Sequence, residues 1–267
     1  MKKTFSRIYT GICFAFLYIP ILVLIVFSFN TSKGATWTGF TTKWYVELFR
    51  NEAIIGAFVN TLIVALAASV AATILGTTAA FGMHSMKKMS KGVMRTLTYI
   101  QILNPEIVTG ISLMLLFAYF KFTSGFLTLI LAHITFCVPT VVLSVLPKLR
   151  QLNVSLYEAA MDLGCNRRQA FFKVVIPEIM PGIVSGFLMA LTYSIDDFVI
   201  SYFTSGTTSQ TLPVVIYSMT KKQVTPTIYA LSTLLFVGVL AVLIVYNLVD
   251  MRFENEKNKA AGLAKKA

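Results

Sequence analysis

The sequence predicts an all-α membrane protein with six transmembrane helices, and three observations carry that prediction. Of 267 residues, 56% are hydrophobic and only 13% charged, with a mean hydropathy of +0.75, far too apolar for a soluble domain of this length. Apolar runs long enough to cross a hydrocarbon layer of roughly 30 Å, which takes about 20 helical residues, occur six times. Lys and Arg concentrate on alternate connections between them, as expected of loops that alternate between the two sides of a membrane. No linker rich in Pro, Gly or Ser divides the chain, so residues 1–267 read as a single transmembrane bundle and not as several domains.

The first run, near Ile8 to Phe29, follows Lys2, Lys3 and Arg7 in the manner of a signal peptide. Its apolar stretch is too long for one and lacks a small-residue cleavage site, so it is expected to stay as an anchor. Further spans are expected near Phe58 to Met83, Thr96 to Phe120 and Gly125 to Leu146. A polar loop from Pro147 to Pro181 separates these from spans near Gly182 to Phe203 and Ile228 to Val249. The charged, Ala/Lys-rich tail from Asp250 to Ala267 is expected to fray.

Orientation follows from the basic residues, which are retained on the cytoplasmic side of short loops. An inside amino terminus assigns to the cytoplasm Lys2, Lys3 and Arg7, then Lys87, Lys88, Lys91 and Arg95, then Lys148, Arg150, Arg167, Arg168 and Lys173, and finally Arg252, Lys257, Lys259, Lys265 and Lys266. These are most of the 23 Lys and Arg, so both termini and the loop 147–181 read as cytoplasmic. Basic loops beside anionic lipid account for the formal charge of +12 without a nucleic acid partner.

Several chemistries have no sequence support. There is no GxxxxGK[ST] phosphate loop, so the chain is not expected to hydrolyse ATP by itself. There is also no HExxH, no GxSxG elbow and no paired Cys/His spacing, so neither a catalytic residue nor a metal site is expected. Cys13, Cys137 and Cys165 read as unpaired. His133, within the fourth expected span, reads as a hydrogen-bonded structural histidine ahead of a proton relay.

Acidic residues give a separate line of argument. Of the eleven Asp and Glu, Glu106, Asp196 and Asp197 fall inside expected spans, where each costs roughly 2.5–3.5 kcal/mol on insertion scales. Such residues mark a cavity, a partner or a task. If the fifth span is an unbroken helix, Tyr193, Asp197 and Ser201 share one face at i, i+4 and i+8, with Asp196 beside them. Glu106, Asp196, Asp197, Tyr193, Ser201 and Tyr202 are therefore candidates to line a path for a cation, the acids by charge and the tyrosines by their ring faces. The alternative is that the acids pair with groups of another subunit. Only one of two adjacent aspartates, about 100° apart on a helix, need face the path.

The loop 147–181 holds a small apolar face, Leu156, Ala159, Ala160 and Leu163, at helical spacing, with Gly164 as the break between two short helices. Taken alone, this face suits either docking in a groove of another protein or lying on the membrane. A resemblance to a known family decides between them. Glu158-Ala159-Ala160, three residues, Gly164, nine residues and Val174-Val175-Ile176-Pro177 resemble the EAA motif of ABC importer permeases, EAA-x3-G-x9-I-x-L-P. Val174 and Ile176 depart from it while keeping apolar bulk. The resemblance implies a type I ABC importer permease (MetI-like) fold with cytoplasmic coupling helices. Glu158, Ala159, Ala160, Gly164, Val174, Ile176 and Pro177 would then couple the spans to a separate ATPase.

The segments LYIPILVLIVFSFN, GFTTKWY, HITFCVPTVV, SIDDFVISYFTSG and TLPVVIYSM resemble the polyamine branch of these permeases over most of the chain from Leu17 to about Leu235. That implies a bacterial inner-membrane subunit that moves spermidine or putrescine and binds no cofactor, with ATP used by its partner. The implied partners are a second, PotB-like permease, two PotA-like ATPases and an extracellular PotD-like polyamine-binding protein. The same architecture with ferric iron, thiamine or an aminophosphonate as cargo stays open. A proton-coupled secondary transporter leaves the EAA spacing unexplained, and an anchor or sensor leaves the buried acids without a task.

Overall fold

A computed structural model of the chain describes residues 2–33, 36–222, 225–238 and 240. Nearly all of this backbone is helical, as expected where segments removed from water must satisfy their own N–H and C=O groups. The helices are α1 (Lys2–Phe27), α2 (Lys43–Arg50), α3 (Glu52–Ser85), α4 (Lys88–Leu103), α5 (Glu106–Tyr119), α6 (Phe126–Gln151), α7 (Val154–Asp162) and α8 (Arg167–Ala170). A π-helical turn, Phe171–Val175, leads from α8 into α9 (Ile176–Asp196), followed by α10 (Val199–Thr204) and α11 (Leu212–Lys222). A further apolar helix covers Pro226–Gly238.

The chain divides into two compact units, one of residues 1–52 with 218–267 and one of residues 53–217. In the first, α1 is exposed along its apolar length, the surface a helix presents when lipid or another subunit is to cover it. A hydrogen-bonded turn follows it. Trp44, buried on α2, donates its indole N–H to the Asn30 carbonyl at 2.7 Å, and the Ser28 and Tyr45 hydroxyls lie 2.7 Å apart. Phe29 stacks on Phe40 beside the isolated bridge Asn30–Phe40.

In the second unit α6 is the central element, packed on α4, α5, α9 and α10. Its contact with α9 is close because small residues let the backbones approach. A Cβ at Gly182 would lie 2.7 Å from Lys148 Cγ, and one at Gly186 would lie 3.2 Å from Val141 Cγ1. Val141, Val145 and Leu149 of α6 are fully or almost fully buried with Ile179 and Ala190 of α9.

Among the described residues four helical stretches are long and apolar enough to cross a membrane, or five if one bent pair counts as a span. The six expected spans are therefore met only in part, and much of the sixth, 228–249, lies outside the described residues. The expected third span, 96–120, is not one straight helix. α4 and α5 meet at 101°, because Asn104 and Pro105 both take extended ψ values, 132° and 131°, and proline cannot supply the N–H that would continue the ladder.

The fifth span also differs from expectation. Its helix starts at Arg167 and ends at Asp196, and Asp197, with φ −65° and ψ 123°, separates it from α10. The unbroken stripe Tyr193–Asp197–Ser201 accordingly does not form. Helix also claims much of the loop 147–181: α6 runs past Pro147 to Gln151, and α8 opens the fifth-span helix instead of standing as a second separate short helix.

Candidate substrate path and coupling surface

The two broken spans meet. α5 packs against α10, and at Gly110 a Cβ would lie 3.0 Å from Phe203 Cδ2 and 3.5 Å from both Ile200 Cα and Val199 O. Glu106, in the first turn of α5, comes within electrostatic range of Asp197 and Asp196 at the other break. All three candidate acids thus gather where the backbone is interrupted, the arrangement in which non-helical backbone at membrane depth is tolerated because it lines a cavity or is covered by protein.

Within this cluster the residues divide by exposure. Glu106, Asp196, Tyr193 and Tyr202 are exposed on this chain, whereas Asp197 is 7% exposed and Ser201 fully buried. Asp197 caps α10: its Oδ1 accepts from the Ile200 N–H at 3.2 Å and its Oδ2 from the Ser201 N–H at 2.8 Å. It therefore satisfies donors that the helix start leaves without intrahelical acceptors. An Asp directly ahead of an apolar run is a sequence signal for such a cap, and it is masked here because a second acid, Asp196, precedes it and a long apolar-rich segment leads into both.

His133, fully buried on α6, hydrogen-bonds as expected of a structural histidine. Nδ1 lies 2.6 Å from Ser194 Oγ, and Nε2 lies 3.0 Å from Ser201 Oγ and 3.4 Å from Asp197 Oδ2.

An aromatic group borders the second break. Phe198 and Tyr217 rings lie 4.5 Å apart, Phe198 and Tyr202 5.5 Å, and Tyr202 and Tyr217 6.0 Å. These separations leave no room for an ammonium group between the rings. Their outer faces form a platform, since Tyr202 is 48% and Tyr217 37% exposed. Tyr217, on α11, was not a sequence candidate: nothing in its local pattern places it beside residues of α10.

The EAA-like segment forms a separate surface. Asn153 caps α7, accepting from the Ser155 N–H at 3.0 Å. The helix closes with the Cys165 N–H donating to Ala160 O at 3.1 Å and the Gly164 N–H to Met161 O at 2.9 Å. That paired closure needs a left-handed residue after the helix, and Gly164 supplies it at φ +87°. Glu158, Ala159, Asp162 and Gly164 are exposed, as are Leu156 and the 87%-exposed Leu163. Ala160 and Val174 are half-buried, as is Ile176, which packs on the core at the base of α9 beside exposed Pro177. α7 rests on α8 and the π-helical turn, so it sits at the foot of the helix whose other end is Asp196. Asn166 starts that helix through reciprocal bonds with Gln169 at 2.9 and 3.0 Å.

A helical bundle with two interrupted spans and an exposed capped helix at the foot of one defines a membrane transport subunit. Residues 72–255 match the family model of the binding-protein-dependent transport system inner membrane component, and the chain belongs to that family. It is 38% identical over 237 residues, 88% of this chain and 90% of the relative, to the spermidine/putrescine transport system permease protein PotC of Escherichia coli (strain K12). It is 42% identical over 231 residues, 83% of this chain and 82% of the relative, to the putrescine transport system permease protein PotI of the same organism. The backbone is similar to a chain of a bacterial ABC transporter that imports the acidic polysaccharide alginate, with a TM-score of 0.71 at 13% identity, covering 93% of this chain and 95% of that one. This likeness is one of fold. The chain is a multi-pass inner-membrane permease subunit; the work of ATP hydrolysis belongs to another subunit.

Proposed function

We propose that this chain is the transmembrane permease of an ATP-driven importer of spermidine and putrescine. The observation that carries the reading is the gathering of Glu106, Asp196 and Asp197 at two abutting span breaks, beside an exposed aromatic platform. A polyamine is a flexible polycation. Asp196 and Glu106 offer it exposed carboxylates, and Tyr193, Tyr202 and Tyr217 offer ring faces. Asp197 and Ser201 act from behind this surface by shaping the break. The names of the relatives PotC and PotI support the same cargo.

The chain forms one transmembrane domain of six spans, with both termini and the EAA segment in the cytoplasm. It pairs with a PotB-like permease above two PotA-like ATPases and receives cargo from a PotD-like extracellular binding protein. α7 fits a cleft of one ATPase. From there the helix from Arg167 to Asp196, about 45 Å long at 1.5 Å per residue, carries displacement from the ATPase to the substrate path. ATP and the loaded binding protein bias the two permeases between inward- and outward-facing arrangements because each binds one arrangement better.

Uptake competition tests the cargo. Labelled spermidine entering cells through the complex should be displaced by unlabelled putrescine and spermidine, and not by thiamine, an aminophosphonate or ferric iron. Failure of labelled spermidine and putrescine to enter, with uptake of labelled thiamine, aminophosphonate or ferric iron by the same complex, would move the assignment to that cargo within the same architecture.

A further inference from the structure

We propose that His133 is a positioning residue for the substrate path, clasping the two halves of the broken span so that Asp196 is presented at the break while Asp197 stays inside. The inference rests on the reading of Asp196 as path-lining.

The break needs an explanation, because Asp196-Asp197-Phe198 contains neither proline nor glycine, and a continued helix would satisfy its backbone without help. Asp197 provides part of it by accepting from the Ile200 and Ser201 N–H groups. A carboxylate that is 7% exposed also needs a polar neighbour beyond the helix it caps. His133 is that neighbour, and its ring reaches both sides of the interruption: Ser194 on α9 at 2.6 Å and Ser201 on α10 at 3.0 Å, with Asp197 Oδ2 at 3.4 Å.

One arrangement of protons satisfies every member. The Ser194 hydroxyl donates to Nδ1, and the Nε2–H donates to Ser201 Oγ while facing Asp197.

α6 holds the ring in place through flanking ties. Thr128 Oγ1 donates to Thr204 O at 2.9 Å, and Cys137 Sγ lies 3.5 Å from Ala190 O. Thr128 grips α10 and Cys137 grips α9. Of these three α6 residues, His133 is the one that touches both. A residue needed only for packing would not require two hydroxyls and a carboxylate to converge on it at zero exposure.

The test places a reporter cysteine at position 196 (Asp196→Cys) in the assembled permease–ATPase complex, with native Cys13 and Cys165 replaced by Ala and Cys137 by Ser, which keeps a donor toward Ala190 O. Its reaction rate with a charged thiosulfonate is compared in His133, His133→Ala and His133→Gln backgrounds. Loss of a buried hydrogen-bonded partner should change the labelling rate about fivefold or more in His133→Ala, with His133→Gln returning most of it. Polyamine uptake per assembled complex, measured with Asp196 intact, should fall about tenfold in His133→Ala and recover in parallel. A labelling rate that ignores His133, or an uptake loss that vanishes once normalised to assembled complex, would overturn the proposal. Because labelling needs no substrate, a complex that transports some other cargo would still test the clasp.

Discussion

Gly110 and Ile200 bring two interrupted spans into backbone contact, with 3.5 Å between the Cα of Ile200 and the place a Cβ on Gly110 would occupy. The nearest atom to that place is Phe203 Cδ2, at 3.0 Å, the edge of a ring able to shift. Gly110→Ala should therefore assemble with a small loss of stability. Gly110→Leu must part α5 from α10, an overpacking cost of about 1–3 kcal/mol. Thermal stability of the purified complex reads both variants, and equal stability of the two would remove the close-contact argument.

At Gly164 the constraint is conformational instead of steric. No atom lies within 4 Å of a Cβ placed there, but φ is +87°. Gly164→Ala should cost about 1–2 kcal/mol locally, loosening the end of α7 without disturbing the spans. Gly164→Asn should be milder, since Asn tolerates the left-handed region better. Uptake per ATP hydrolysed should fall in the order Gly, Asn, Ala. Wild-type coupling in Gly164→Ala would show that the helix closure carries no signal.

Glu158 is exposed on α7 and free of any role in the packing of the core. Glu158→Lys should leave the chain inserted and uncouple the ATPase, seen as lost stimulation of ATP hydrolysis by the loaded binding protein. Normal stimulation and normal uptake together would exclude α7 as the docking surface.

The two adjacent aspartates should separate experimentally. Asp196→Asn removes an exposed charge and should lower polyamine flux about tenfold with normal assembly, the loss of one charge-assisted contact. Asp197→Ala removes the cap of α10 and the carboxylate facing His133, and should lower the yield of assembled complex first. Reversed phenotypes would exchange the roles of the two residues.

This separation is the part of the site that the sequence could not disclose. The EAA-like spacing and Gly164 located α7 and its end, because a helix stop and its glycine are local. The third span reads as one helix in the sequence, although Pro105 lies within it; its 101° bend is not legible from a proline alone, since the angle depends on what α4 and α5 pack against. Asp197 was read as one residue of a helical stripe. Its carboxylate caps α10 and lies 3.4 Å from His133, a residue of α6 brought near by the fold, and periodicity within one segment carries no trace of that. Tyr217 was missed for the same reason, being placed beside Phe198 and Tyr202 by packing.

The central claim is ATP-driven polyamine import through this permease. It is tested most directly by uptake of labelled spermidine and putrescine into proteoliposomes holding the chain with its second permease, ATPase and binding protein. The account predicts uptake that requires internal or external ATP on the ATPase side and is lost when any one component is omitted. A complex that assembles and hydrolyses ATP yet moves neither polyamine would contradict it.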